Sequence, residues 1–259
     1  MTQTVNISNE SLLIASSLVL IAIFFSYWQK LGLEKEILIA TIRAVVQLVV
    51  VGYILKYIFN LESKLLTALL LIFMISNASY NASKRGKNID NAFLISFLAI
   101  GIGSIITLSI LLLSKAIKFE AYQVVPVSGM IISNSMVAIG LCYKQLLTNF
   151  KDRRAEVETK LSLGADILPS SIDLIRDAVK TGMMPTIDSA KTLGVVTLPG
   201  MMTGLILAGV SPILAIKYQL MVTFMLMSTT SIASFIACYL SYRSFFNERK
   251  QIKNLEINR

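Results

Sequence analysis

Seven stretches of this chain are apolar for long enough to cross a bilayer, at about 11–28, 37–59, 65–80, 92–113, 124–147, 193–210 and 213–242. A hydrocarbon core ~30 Å thick takes roughly 20 helical residues to span. Inside it no water is available to the backbone. Every N–H and C=O must therefore be paired internally, by helices or by a closed barrel. The apolar runs are continuous and do not alternate, which selects helices. Composition agrees: 55% of residues are hydrophobic and 15% charged, against roughly 25% charged in soluble domains. The mean hydropathy is +0.70. The expected fold is an all-α integral membrane protein, a polytopic bundle of about seven transmembrane helices forming one domain over residues 1–259. No separate soluble domain fits.

The net charge of +9 is explained by loops. With the N-terminus outside, eighteen of the 24 Lys and Arg fall in inner loops or at inner span ends, five in outer loops or at outer span ends, and Arg43 alone deeper within a span. Basic loops face the cytoplasm, so the expected orientation is N-out and C-in, with lipid as the surrounding partner and no role in nucleic-acid binding. The first ten residues, MTQTVNISNE, contain no basic residue and so lack the n-region of a cleaved signal peptide.

Several chemistries are disfavoured. There is no histidine, which removes the commonest general base and metal ligand. Cys142 and Cys238 both lie in apolar surroundings and read as core thiols. A membrane-embedded enzyme would need a nucleophile or a metal centre, and no catalytic residue is identified. Proton- or sodium-coupled carriers usually carry intramembrane acids, and the expected spans have none. Gly86-Lys87 is followed by Asn88, so no P-loop is present. The chain binds no nucleotide cofactor of its own by that motif.

One inner segment, 148–191, is far longer than the other connections and holds seven of the 15 acids. KDRRAEVETKLSLG predicts a helix stopped at Gly164. LPSSIDLIRDAVKTG predicts a second, from Pro169 to Gly182. There Ile172, Ile175, Val179 and Met183 take one face, and Asp173, Arg176, Asp177 and Lys180 the other. That pattern is an amphipathic surface helix. Its mixed charge suits a protein partner as well as a headgroup layer.

Taken in order, TIRAVVQLVVVGYILKYIF, NASYNASKR, VPVSGMIISNSMVAIGLCY, KLSLGA, IRDAVKTGMMPTIDSAKTLGVVTLPGMMTGLILAG and IKYQLMVTFMLMSTTSIASFIACYLSYR resemble the FetB (YbbM) family of ABC transporter permeases over nearly the whole chain. Plant proteins of aluminium tolerance are similar. The resemblance implies a permease subunit in the cytoplasmic (inner) membrane, working in pairs as a homodimer. It implies a separate ABC ATPase subunit that holds ATP and Mg, with iron or another metal as the transported substrate and a role in oxidative-stress resistance. An ABC permease for another substrate, such as a sugar nucleotide or a lipid-like molecule, is the alternative. Glu158 stands six places before Gly164, a partial match to the loop by which many ABC importer permeases dock on their ATPase. On this reading the cytoplasmic coupling segment includes Glu158, Gly164, Arg176, Asp177, Pro185, Asp188 and Lys191. The prolines Pro185 and Pro199 are expected to break helices.

Candidates for the translocation path are polar or soft side chains in spans. Arg43 and Gln47 lie one turn apart, as do Asn77 and Asn81; Asn134, Met201 and Met202 complete the set. Thioethers suit Cu(I) better than Fe(II), so no metal-ligand set is assigned. Ser228, Thr229, Thr230, Ser231 and Ser234 cluster in the last span, where hydrogen bonding between helices is the ordinary role. Gly200, Gly204 and Ala208 recur four apart, a spacing for close helix contact, either within the chain or at a dimer seam.

Overall fold

The computed structural model describes residues 8–61 and 63–253. The N-terminal residues 1–7 and Arg259, which enter the orientation reading, lie outside the described residues. The order of helices is α1 (Asn9–Ser16), α2 (Leu18–Trp28), α3 (Glu34–Leu61), α4 (Lys64–Ser83), α5 (Ala92–Leu113), α6 (Ala121–Asp152), α7 (Arg154–Ser162), α8 (Ile167–Thr192), α9 (Gly200–Leu207) and α10 (Pro212–Ser241), followed by a 3-10 turn, Tyr242–Phe245. Helix starts follow local chemistry. Ser63 and Ser211 accept from the backbone N–H three residues on, Pro212 opens α10, and Asp166 accepts from Ile167 at the head of α8. Gly164 ends α7 at φ +90°, a conformation that disfavours any side chain.

Among the described residues, six helices are long and apolar enough to cross a membrane: Glu10–Trp28, Glu34–Ile58, Lys64–Ser83, Ala92–Leu113, Ala121–Asp152 and Pro212–Phe245. The α2–α3 hairpin is closed by Ser26, whose hydroxyl donates to Glu34 and accepts from the N–H of Leu33. Most of its described apolar side chains are open, Leu48 among them, with Ile58 buried near the end of α3. The other spans form a core. Tyr143 of α6 bonds Ser96 of α5 at 2.9 Å, and Phe150 stacks on Phe245 with centroids 4.2 Å apart. Small buried residues such as Ala99, Ala138, Ala178 and Ala233 let the helices approach closely. Ser135 meets Thr229 at 3.2 Å, and Phe150 meets Phe245. These pairs share nearly the same sequence offset, so α6 and α10 run parallel.

Parallel α6 and α10 require the chain to return between them, and it does so in two pieces. The expected span at 193–210 is not one helix. Only Gly200–Leu207 is helical there, about 12 Å long. Before it, Gly194 adopts φ +78° and the carbonyl of Thr192 accepts from Val195, Val196 and Thr197, which folds 193–199 into a turn. The rest of the return is α8. This helix does not stop at Gly182 or break at Pro185, but runs through both to Thr192.

Nor is α8 a surface helix. Its buried face is Ser170, Ser171, Leu174, Ile175, Ala178 and Gly182, against α6 and α10. Of the expected apolar stripe only Ile175 is fully buried. The reason is steric: a Cβ on Gly182 would strike Cys142 Sγ and lie 2.9 Å from both the Ala138 carbonyl oxygen and Ser234 Oγ. Small side chains, more than apolar ones, decide which face enters a three-helix crossing. Asn149 donates to the carbonyl of Leu174 at 3.0 Å, while Gly182 sits against Ala138 and Cys142. The two helices are therefore antiparallel, and continuing this register sets Asp188 level with Asn134.

Candidate translocation site and basal surface

Two regions hold the polar chemistry. The first is a cavity of about 300 Å³ enclosed by the distal half of α8 together with α6, α9 and α10. Met130 and Asn134 of α6 face Thr186 and Ser189 of α8, with Met201 of α9 and Gln219 and Thr223 of α10 completing the wall. Pro185 and Gly200 also line it. Asn134 is held by donating to the Met130 carbonyl at 2.8 Å. The Gln219 Oε1 is buried and has no hydrogen-bond partner. An unpaired buried amide oxygen costs roughly 1–3 kcal/mol, which makes it the acceptor free for a ligand here. The donors are neutral oxygens and thioethers. Such a set offers weak, exchangeable contacts, suited to passage more than to storage. Among the described residues no group of three or more His, Cys, Asp or Glu could hold a metal ion.

The second region is the end of the bundle bearing α7. Arg153 donates to Glu156 at 2.8 Å and to Asp177 at 3.0 Å. Lys160 contacts Glu156 at 2.8 Å and Asp173 at 3.2 Å. The Arg153 guanidinium, then the Lys160 ammonium, pull the Glu156 carboxyl down to about 2. The same contacts raise Lys160. The C-terminal segment folds back onto this end: Lys250 pairs with Asp166 and Lys253 with Asp90, both at 2.8 Å. The Lys250 ammonium and the Ile167 N–H lower the Asp166 carboxyl. Between α7 and this segment lies an open groove of about 810 Å³, lined by Arg154, Glu158, Ser162, Asn247 and Lys250 among others.

The expected site residues divide between these regions. Glu158, paired with Arg154 at 2.7 Å, lines the groove, with Gly164 just beyond it. Asp177 joins the α7 network, and Arg176 lies exposed beside it, 3.7 Å from Asp173. Pro185 lines the cavity. Asp188 and Lys191 form their own pair at 3.0 Å, one and a half turns or more beyond Gly182. Five of the seven residues expected to couple are thus strung along α8, with Glu158 on α7 and Gly164 after it, and the set is not gathered at one surface.

Of the path candidates, Asn134 and Met201 line the cavity and Met202 does not. Asn81 donates to the Asn77 carbonyl and side chain at 2.9 and 2.8 Å, and both are exposed on α4. Arg43 and Gln47 are exposed on α3. Gly200 and Gly204 have nothing within 4 Å of where a Cβ would stand, and Ala208 is exposed, so packing within the chain does not account for the two glycines. Gln219, Thr223, Thr186 and Ser189 were not singled out by sequence. Gln219 alone carried a signal: an amide inside an apolar span.

A family model described as "Uncharacterised protein family (UPF0014)" matches residues 9–246. The chain is 52% identical over 247 residues to "Probable iron export permease protein FetB" of Escherichia coli (strain K12), covering 95% of each. It is 41% identical over 246 residues to "UPF0014 membrane protein YjkA" of Bacillus subtilis (strain 168), covering 95% of this chain and 98% of that one. Against "Protein ALUMINUM SENSITIVE 3" of Arabidopsis thaliana identity is 35% over 235 residues, covering 91% and 86%. No solved structure matches. With the family model and these relatives extending across almost all of a helical membrane bundle, the chain belongs to the UPF0014 family.

Proposed function

We propose that this chain is the membrane subunit of an ATP-driven ABC transporter that exports iron from the cytoplasm. The observation that carries the reading is near-full-length identity, at 52%, to a relative whose name is that of a probable iron export permease. The α7 end, with its groove and dense charge, faces the cytoplasm and receives a separate ATPase that binds ATP and Mg. α8 is the rod that carries its motion. It starts in the charged network beside α7 and ends at the cavity, ~39 Å away for a helix of 26 residues at 1.5 Å each. Two copies form the transporter, and the open glycines of α9 support a seam there.

The test is purification of the tagged protein from its native membrane in mild detergent, followed by reconstitution. A co-purifying ATPase and ATP-dependent iron flux into inverted vesicles are expected. A lone protein that supports no ATP-dependent flux in any detergent overturns the reading. The neutral donors of the cavity favour one second reading, an ABC permease for an uncharged or complexed substrate. ATP-dependent flux that ignores iron would select it.

A further inference from the structure

The distal half of α8 carries two charges where a lipid-facing helix tolerates none. By the register that pairs Asn149 with Leu174 and Gly182 with Ala138 and Cys142, Asp188 stands level with Asn134. Asn134 lies roughly 15 Å along α6 from Lys144, the first charge toward the basal end, and farther still from the other end of the helix. That is the middle of a hydrocarbon core ~30 Å thick. At this depth the Asp188 and Lys191 side chains remain 58% and 65% exposed on the single chain. They point away from the cavity, whose α8 wall is Pro185, Thr186 and Ser189. A Lys side chain cannot reach a headgroup layer from there. An exposed ion pair facing lipid at mid-depth is costly, because desolvating two charges takes more than their mutual attraction returns.

A second observation points the same way. One residue after Lys191 the helix ends, and 193–199 is a turn at the level of the cavity. Val195 and Val196 are 89% and 74% exposed. Irregular backbone at membrane depth persists only where protein buries it or where it lines a water-filled space. The α8–α9 break has the form of the discontinuous helices that bracket transport routes.

We propose that the outward face of distal α8, bearing the Asp188–Lys191 pair, and the turn at 193–199 together line a water-filled route for a cation at mid-membrane depth, closed on its far side by a second copy of this chain. This rests on the permease reading above. It commits Asp188 to be the carboxylate that the cation meets, with Lys191 as the built-in counter-ion it displaces. The cavity of neutral donors lies on the opposite side of α8 and is a separate space.

The test reads water and proximity, not cargo, so it fails independently of iron export. Single cysteines replace Asp188, Met184 and Val196 in the complete transporter in sealed native vesicles. The last two variants leave the ion pair intact should Asp188→Cys not assemble. Ile105→Cys is the lipid-facing control. It lies on α5 near Gly103, whose Cβ would sit against Thr229, a level close to that of Asp188. The parent chain, with Cys142 and Cys238 buried, sets the baseline. A charged methanethiosulfonate reagent should modify the three test positions at least about tenfold faster than Ile105→Cys, because only a hydrated thiol ionises to the reactive thiolate. A short bifunctional thiol reagent should join two chains at one or more test positions and not at Ile105→Cys. Labelling no faster than the control at all three positions overturns the route. Fast labelling with no cross-link at any of them overturns closure by a second copy.

Discussion

The two halves of α8 carry similar charges in opposite circumstances. In the basal half, Asp173 is tied to Lys160 of α7 and Asp177 to Arg153 at the head of α7, so each of these acids is answered from outside its own helix. In the distal half, among the described residues, Asp188 is answered by Lys191 of its own helix alone, and the face they share is open. Packing is reversed. The basal half buries Leu174 and Ile175, whereas at the crossing that begins the distal half the contact is made by a glycine. A helix held by charge at one end and by a close backbone contact at its middle is a rod whose far end is free to respond.

The largest effect should come from removing that contact. At Gly182 even one methyl meets Cys142 Sγ, a backbone carbonyl and Ser234 Oγ, and all three belong to α6 and α10, which pack against each other. Gly182→Leu should lose about 3 kcal/mol or more by overpacking, read as a collapse of folded yield and a lower melting temperature in detergent. Gly140 is the control. The three atoms nearest a Cβ there all belong to the Arg85 side chain, which can swing away, so Gly140→Ala should melt within a few degrees of the parent.

Next comes the distal pair. Asp188→Arg sets two cations on the open face, whereas Asp188→Asn removes one charge. In reconstituted transporter, Asp188→Arg should cut iron flux at least about tenfold, the equivalent of 1.4 kcal/mol, while the ATPase keeps turning over. Unchanged coupled flux in that variant would remove the distal half from the mechanism and make the contrast between the halves a surface accident.

How the chain could be read in advance follows the same division. The long apolar runs predicted α2 to α6 and α10 closely, because length and hydropathy alone decide what can span lipid. Gly164 was legible because a positive φ has few other solutions. Gly182 was not: the same residue that ends helices also permits a close crossing, and only the neighbours Ala138 and Cys142 distinguish the two. Asp188 and Lys191 pushed the reading of 148–191 toward the cytoplasm for a sound reason, the cost of charge in lipid. That argument fails where a face is turned away from lipid, and a linear pattern does not say so. The path candidates split likewise. Asn134 and Met201 share the cavity because α9 packs on α10 at the cavity that α6 also lines, a tertiary fact, while Arg43 and Gln47 sit on a hairpin that makes few contacts with the rest.

A smaller effect should separate the halves at the basal end. Arg153→Ala severs α7 from Asp177 and leaves Glu156 with Lys160 alone. These side chains are about a third exposed, and solvent screening limits such pairs to roughly 1 kcal/mol each. Amide exchange should therefore speed up across α7 and the first turns of α8, with the distal half unchanged. Faster exchange throughout α8 would show that the rod is not stiff enough to keep its ends distinct.

The smallest effect is the pH dependence of that same docking. Glu156 has its carboxyl lowered from 4.5 to about 2 by Arg153 and Lys160. A depressed carboxyl contributes stability that is fully present above its unfolded value and disappears as protons bind the folded form. Docking of α7 should thus be flat from neutral pH down to about 4.5 and weaken only as pH falls toward 2. The expected loss is below about 1 kcal/mol, because the pair is screened. Asp166, lowered by Lys250, shifts in the same direction and loosens the C-terminal segment over the acid side of the same range. Fluorescence from a probe on α7, titrated in detergent, reads the transition. Undocking already complete at pH 6 would mean that the charge network does not hold this end, and that the contrast with the distal half lies in packing alone.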